Sequence, residues 1–363
     1  MATRVPPAWI IRPLLATRNA VARLHRGMVP PEVTVIERSI GMIDTKALGV
    51  VAELGVPDRL ADGPRTAADL ADACSADADA LGRVLRYLVG RGVFRCTRDG
   101  RFRNNRVSEL LREERDGSMR AWGRAMSSDW HMAMWTNLDH AVRTGHSGAE
   151  AAFGHSFWEH LTEVDPAAGA LFDAAMASTS GIQMDLVAKK YDFAGCQRVC
   201  DVGGGTGTLL AGILTAHPGV RGVLFDLPSV VPKTEPVLAA AGVADRVEVI
   251  GGDFFESVPE GCDRYVLEAI VHDWDDDSCV RILSNCRAAL PPEGRILILE
   301  ATLPEHAGDH FVRAVDLEML VVTGAGRERT RKEFDALFAL AGLRVRKIVP
   351  IAVSSLFELE PAQ

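Results

Sequence analysis

The chain has 363 residues, 47% of them hydrophobic and 25% charged, with a net charge of −9 and a pI near 5.6. That length suits two domains, and the acidic balance argues against a whole-chain binder of nucleic acid or anionic membrane. No apolar run reaches the roughly 20 residues that span a bilayer. Seven scattered cysteines without a CxxC pair fit free thiols in a reducing cytoplasm, with neither a metal nor a redox role expected.

The first 31 residues carry five arginines and no acid, but Arg12 and Pro13 break WIIRPLLA, so it makes no signal-peptide core. Residues 1–30 read as an arm packing on a partner subunit. Helical periodicity then runs through residues 31–190. Ile40, Ile43, Ala47, Leu48, Val51 and Leu54 recur at helical spacing, and Gly55 with Pro57 stops the run. Thr66 and Asp69 make a capping-box-like start, and Ser75 or Asp77 is placed to cap the next helix. GVFRCTRDGRFRNN follows as a β-hairpin turning at Asp99-Gly100.

Helix, helix, hairpin over about 40–106 is the outline of a winged helix. Residues 83–106 hold eight arginines against one acid, Asp99, which raises DNA binding. The alternative is a dimerisation core with solvated or paired arginines, and the acidic whole favours it. A run dense in Trp and Met, AWGRAMSSDWHMAMW, reads mostly as packing.

From residue 191 the rhythm changes. RVCDVG, GVLFDL, VEVIGGD, DRYVLEAI and RILILEA are strand candidates separated by helical segments, the pattern of a doubly wound parallel sheet. LRVRKIVPI and SSLFELE are joined too tightly for a parallel crossover, so they form an antiparallel pair.

VCDVGGGTGTLL lacks the lysine of a P-loop and is spaced more tightly than a dinucleotide fingerprint. Asp226 ends the next strand, where an acid holds ribose hydroxyls. Asp253 and Phe254 follow the third, a carboxylate and a ring suited to an adenine. Together they describe a nucleoside cofactor that needs no pyrophosphate.

The run DVGGGTGTLL…FDLP…GDFF…VHDW…ILE…GRERT resembles the S-adenosylmethionine-dependent small-molecule O-methyltransferases of the plant phenolic, hydroxyindole and bacterial polyketide-tailoring type. The resemblance covers nearly the whole chain. It implies a class I methyltransferase, a Rossmann-like α/β sheet that is parallel except for an antiparallel last strand, over residues 191–363. Before it, at 31–190, it implies a mostly α-helical, winged-helix-like dimerisation and substrate-lid domain. It further implies S-adenosylmethionine as cofactor, S-adenosylhomocysteine as product, no metal, a homodimer and an aromatic small-molecule acceptor.

By the same resemblance His272, after the fourth strand, is the general base, with Glu300 and Glu328 as the carboxylates that support it. One of them accepting from the second ring nitrogen would fix the tautomer. Asp273 is expected to point elsewhere, and Trp274 to pack or wall the cofactor. Asp201, Gly203, Gly205 and Gly207 line the methionine part, Asp226 the ribose, and Asp253 with Phe254 the adenine; Ser180 also faces the cofactor. Met176, Met319, Thr323, Trp130 and Phe157 are the acceptor candidates. Plant relatives often carry lysine where Glu268 stands, so Glu268 is left out of the catalytic set.

The leading expectation is therefore a cytoplasmic enzyme that methylates a phenolic hydroxyl by in-line transfer, without nucleic acid or membrane partners. Transfer to nitrogen and a non-methylating relative stay open within the fold. A metabolite-sensing DNA-binding regulator is the alternative of another class.

Overall fold

The computed structural model describes residues 17–362 apart from 19, 23, 25, 26, 307, 309, 352 and 353, and without the side chains of 180–185. It falls into two compact units that interleave in sequence. One comprises Met134–Val164 and Ser180–Gln363, the other Leu14–Ala133 and Asp165–Thr179. Most of the expected 1–30 arm lies outside the described residues.

In the helical unit, helices Met42–Glu53, Ala67–Cys74 and Ala78–Gly90 precede a hairpin of β1 (Phe94–Cys96) and β2 (Phe102–Asn104). Leu81, Leu85 and Leu88 recur at i, i+4 and i+7, and all three are buried with Val51, Leu60, Leu70, Phe94 and Phe102. Thr66 and Asp69 form a reciprocal capping box. Asp77, not Ser75, caps the following helix, because Ser75 takes the left-handed conformation that ends the helix before it. The hairpin is antiparallel and turns through Gly100, with Arg95 directly opposite Arg103. Ile40 and Ile43, expected on the buried stripe, are exposed, while Ala47 and Val51 face the core.

The other unit is built on a mixed sheet. Its strands are β3 (Arg198–Val202), β4 (Arg221–Asp226), β5 (Val247–Gly251), β6 (Arg264–Glu268), β7 (Arg295–Leu303), β8 (Arg329–Thr330), β9 (Leu343–Ile351) and β10 (Ser354–Pro361). The order is β5-β4-β3-β6-β7-β10-β9, and β8 adds to the far end of β7. β3 to β7 run parallel, while β10 pairs antiparallel with both β7 and β9. The central strands are almost continuously buried, as a sheet covered on both faces requires. Along β7 the side chains alternate between two cores. Ile296 and Ile298 pack with Leu267, Ile282 and Phe338 on one face, and Leu297 and Leu299 with Leu210, Ile213 and Leu356 on the other. The strand order reverses between β3 and β6, and ligands of open α/β sheets bind beyond the strand ends at such a point.

Candidate active site

Beyond β3, the loop from Gly203 to Gly207 hugs the sheet. Gly203 N–H donates to Phe225 O at 2.8 Å, and a Cβ on Gly203 would lie 2.5 Å from Ile270 Cδ1. Gly205 is different. Its φ is +55°, its N–H donates to Asp226 Oδ2 at 2.8 Å, and a Cβ there would meet nothing within 4 Å. One glycine is thus needed for close packing and another to leave a concave backbone open.

Asp226 also accepts from Leu227 N–H at 2.7 Å, so the acid at the end of β4 ties the loop to its strand. Asp201 lies buried beneath the loop, and its Oδ2 has no hydrogen-bond partner. Burial and the nearby Asp226 charge push its carboxyl up to about 7. Phe254 comes within 3.7 Å of where the Gly203 Cβ would stand, and its ring meets Phe255 and Trp274 edge-on. Asp253 closes its own turn by accepting from Phe255 N–H at 2.8 Å. Asn285 donates to the carbonyls of Phe254 and Phe255 at 2.8 and 3.0 Å, fixing that wall from behind. The open glycine, the orphaned Asp201 oxygen and the aromatic wall fit a nucleoside cofactor lying over the loop.

His272 sits on a short turn, Val271–Asp273, after β6. Its Nδ1 lies 2.9 Å from Glu328 Oε1. A carboxylate only accepts, so Nδ1 carries the proton and Nε2 is the atom left for the acceptor. Glu300 acts on a different part of the turn. Its Oε1 takes the backbone N–H groups of Ile270, Val271 and His272 at 3.0, 2.7 and 3.4 Å, while Oε2 stays 3.9 Å from the ring. Of the two glutamates, therefore, Glu328 holds the ring and Glu300 holds the main chain. Glu328 does not pair with its neighbouring arginines, because Arg327 bonds Glu333 and Arg329 bonds Asp276.

One expectation is corrected. Asp273 does not point away; its Oδ1 stands 3.6 Å from His272 Nε2. Both side chains are largely buried, so the turn cannot splay them into water. Burial alone would drive the imidazole neutral, but Glu300, Asp273 and Glu328 outweigh it and raise His272 to about 10. Burial likewise lifts the carboxyl of Glu300 to about 7 and that of Asp273 to about 6, against the pull of the histidine.

The remaining candidates fall as follows. Met319 is buried on helix Phe311–Val322. Thr323 uses its hydroxyl locally, donating to Met319 O and accepting from Gly326 N–H. Phe157 is buried, edge-on to Trp158. Met176 and Trp130 belong to the helical unit, where both are half-buried. The Ser180 side chain lies outside the described residues. Among the described residues no cluster of His, Cys, Asp or Glu is arranged to hold a metal, and no helix is long and apolar enough to cross a membrane.

Sequence reasoning missed Arg329, Asn285 and Asp316, whose carboxylate accepts from Glu328 N–H at 2.9 Å. Arg329 had a signal, since it stands inside GRERT.

The sheet order, the open glycine loop and the histidine after β6 define a class I methyltransferase. The chain belongs to the O-methyltransferase family: the model of the O-methyltransferase domain matches residues 135–344, and that of the O-methyltransferase dimerisation domain matches 37–114. It is an S-adenosylmethionine-dependent O-methyltransferase. A mitomycin biosynthesis 6-O-methyltransferase of Streptomyces lavendulae is 41% identical, over 88% of this chain and 91% of its own. A solved O-methyltransferase from neocarzinostatin biosynthesis, NcsB1, in complex with S-adenosylmethionine and 2-hydroxy-5-methyl naphthoic acid, superposes with a TM-score of 0.76. It is 36% identical and is covered over 96% of its chain and 88% of this one. The scaffold also hosts other chemistry. Aclacinomycin 10-hydroxylase RdmB of Streptomyces purpurascens is 36% identical over 86% of this chain and 84% of its own.

Proposed function

We propose that the protein methylates a phenolic hydroxyl of an aromatic secondary metabolite, with His272 as general base. The observation that carries this reading is the 2.9 Å contact from His272 Nδ1 to Glu328. It leaves Nε2 facing away from Glu328, and Glu328 is placed to stabilise the imidazolium that forms. When bound, S-adenosylmethionine supplies an activated methyl on a sulfonium, whose positive charge also disfavours a second cation nearby. Gly203, Gly205 and Gly207 with Asp201 are assigned to its methionine part, Asp226 to the ribose, and Asp253 and Phe254 to the adenine. What the chain's own groups supply is alignment of the acceptor oxygen and removal of its proton. His272 must itself be neutral to act, so the three carboxylates that hold its proton set the pH at which it works. Met319 and Phe157 are assigned to the acceptor.

The relatives support an aromatic acceptor: one is a mitomycin biosynthesis methyltransferase, and NcsB1 was solved with a hydroxy-methyl naphthoic acid. The test is mass spectrometry of a library of hydroxynaphthoates, aminohydroxybenzoates and hydroxyphenazines incubated with methyl-labelled S-adenosylmethionine. Label on a phenolic oxygen is expected; label on nitrogen, or hydroxylation instead, would replace the reading. His272→Ala should lower turnover about 10²–10⁴-fold while S-adenosylhomocysteine affinity holds.

A cytoplasmic homodimer completes the proposal. Within and beside the dimerisation match, Val35, Ile36, Ile40, Met42 and Ile43 are exposed, an apolar face suited to a second copy of the chain. Light scattering at micromolar concentration tests it, and a clean monomer would refute it. Arg91 pairs with Asp44 and Arg101 with Asp99, which supports the arginines' structural role over nucleic-acid binding.

A further inference from the structure

We propose that Arg329 is a positioning residue, which holds the main chain on both sides of His272 so that the imidazole meets Glu328. Its effect on turnover rests on the reading of His272 as the base; its effect on the ring does not.

Arg329 is the largest fully buried side chain among the described residues. A guanidinium has five N–H donors and no acceptor. Here five contacts take them up. Nε and Nη2 donate to Asp276 Oδ1 at 2.9 and 2.7 Å, Nη2 also to Trp274 O at 2.9 Å, and Nη1 to Val271 O at 2.8 Å and Arg327 O at 3.4 Å. Val271 and Trp274 bracket the pair His272-Asp273. The guanidinium is therefore a brace across the turn that carries the base.

Its neighbours grip the same turn. Gly326 approaches so closely that a Cβ would lie 2.5 Å from His272 O. Arg327 N–H donates to that carbonyl at 2.8 Å, and Glu328 takes the ring. The chain enters the turn through Ala269, whose φ of +53° is a left-handed conformation that side chains other than Asn and Asp rarely adopt, so the turn needs holding. Glu300 holds its N–H groups, and Arg329 holds its carbonyls.

A buried charge adds little stability that well-packed apolar groups would not match, so energy alone gives no reason for arginine here. Geometry does. Lysine, with three donors on one point, cannot span both carbonyls and the carboxylate.

The test uses Arg329→Lys and Asp276→Ala in protein labelled with ¹⁵N-histidine. The wild-type Nδ1–H of His272 is expected as a far-downfield proton resonance. In Arg329→Lys that resonance should vanish and turnover on the acceptor found in the library should fall about 30-fold. S-adenosylhomocysteine affinity, by calorimetry, should stay within about twofold of wild type, since no cradle residue has changed. Asp276 is half-exposed, so Asp276→Ala keeps the question answerable where the lysine variant does not fold. It should weaken the resonance and lower turnover about threefold to tenfold. A folded variant of either kind with the wild-type resonance and wild-type turnover overturns the proposal. A lost resonance with unchanged turnover upholds the brace and removes His272 as the base.

Discussion

Glu300 Oε1 lies 2.7 Å from the backbone nitrogen of Val271, the residue just before the base, and closer to that main chain than Oε2 is to the imidazole. The second glutamate of the site thus serves as the acceptor for a turn whose N–H groups point inward. Replacing it by glutamine keeps a carbonyl oxygen in place; replacing it by alanine leaves three donors without one.

Glu300→Gln is accordingly expected to retain turnover within about threefold, and Glu300→Ala to lose about 1–3 kcal/mol of stability with at least tenfold of turnover. Thermal melts and initial rates on the two variants distinguish this from a direct ring contact. If Glu300→Gln lost as much turnover as Glu300→Ala, the carboxylate charge and not the turn would be what matters.

Glu328→Gln should act on the histidine's proton. Glu300, Asp273 and Glu328 together raise His272 to about 10, and removing one negative charge must lower it. Turnover plotted against pH should therefore begin its rise at lower pH in Glu328→Gln, by about one unit or more, yet level off below wild type. A rise at the wild-type pH would detach Glu328 from the titration.

Gly205→Ala tests the cradle. The added methyl meets no protein atom within 4 Å, so the fold loses only the cost of a left-handed alanine, about 1–2 kcal/mol. S-adenosylhomocysteine affinity, however, should fall tenfold or more by order of magnitude, because the methyl enters the space the cofactor needs. Calorimetric titration decides; unchanged affinity would place the cofactor elsewhere.

The buried acids make a prediction about pH and stability. Asp201, Asp273 and Glu300 have folded pKa values raised to about 7, 6 and 7. A raised carboxyl pKa means that the folded state binds the proton more tightly than the unfolded one. Their stabilisation is full below the unfolded values near 4 and is lost as pH rises through the folded ones. His272 adds to the same trend, full below about 6.5 and lost toward 10. Melting temperature should thus decline from about pH 5 to pH 10, and a Glu300→Gln variant should decline less between pH 5 and 7. A melting curve that climbs across that range would contradict these assignments.

Much of this was legible beforehand because it rests on local rules. Buried parallel strands read as apolar runs, and the glycine spacing by itself excludes a P-loop and a dinucleotide fingerprint. Asp226 at the end of β4 and Asp253 just beyond β5 could be located because each follows such an apolar run. What could not be read was orientation about a single turn. Whether Asp273 faces toward or away from His272 is a matter of the backbone path through the Val271–Asp273 turn, which the residue identities do not announce. Which of Glu300 and Glu328 reaches the ring stayed open in the sequence for a similar reason: it is decided by contacts some 28 and 56 residues apart in the chain. Ile40 falls in the turn between helices Pro31–Ser39 and Met42–Glu53 and Ile43 on an exposed face of the second, since periodicity gives neither a helix break nor what covers a face.

The position of β10 carries a last consequence. It lies between β7 and β9, and its Ser355 pairs directly with Glu300. The strand that presents the turn's acceptor pairs with β6 on one side and therefore gains its second neighbour only when residues made after the histidine and its ring partner thread in between β7 and β9. During translation the histidine, its ring partner and the glycine cradle can all emerge before that slot is filled. A ribosome-bound or truncated chain stopping before Ser354 should accordingly be helical and partly collapsed but catalytically silent, with competence arriving in one late step.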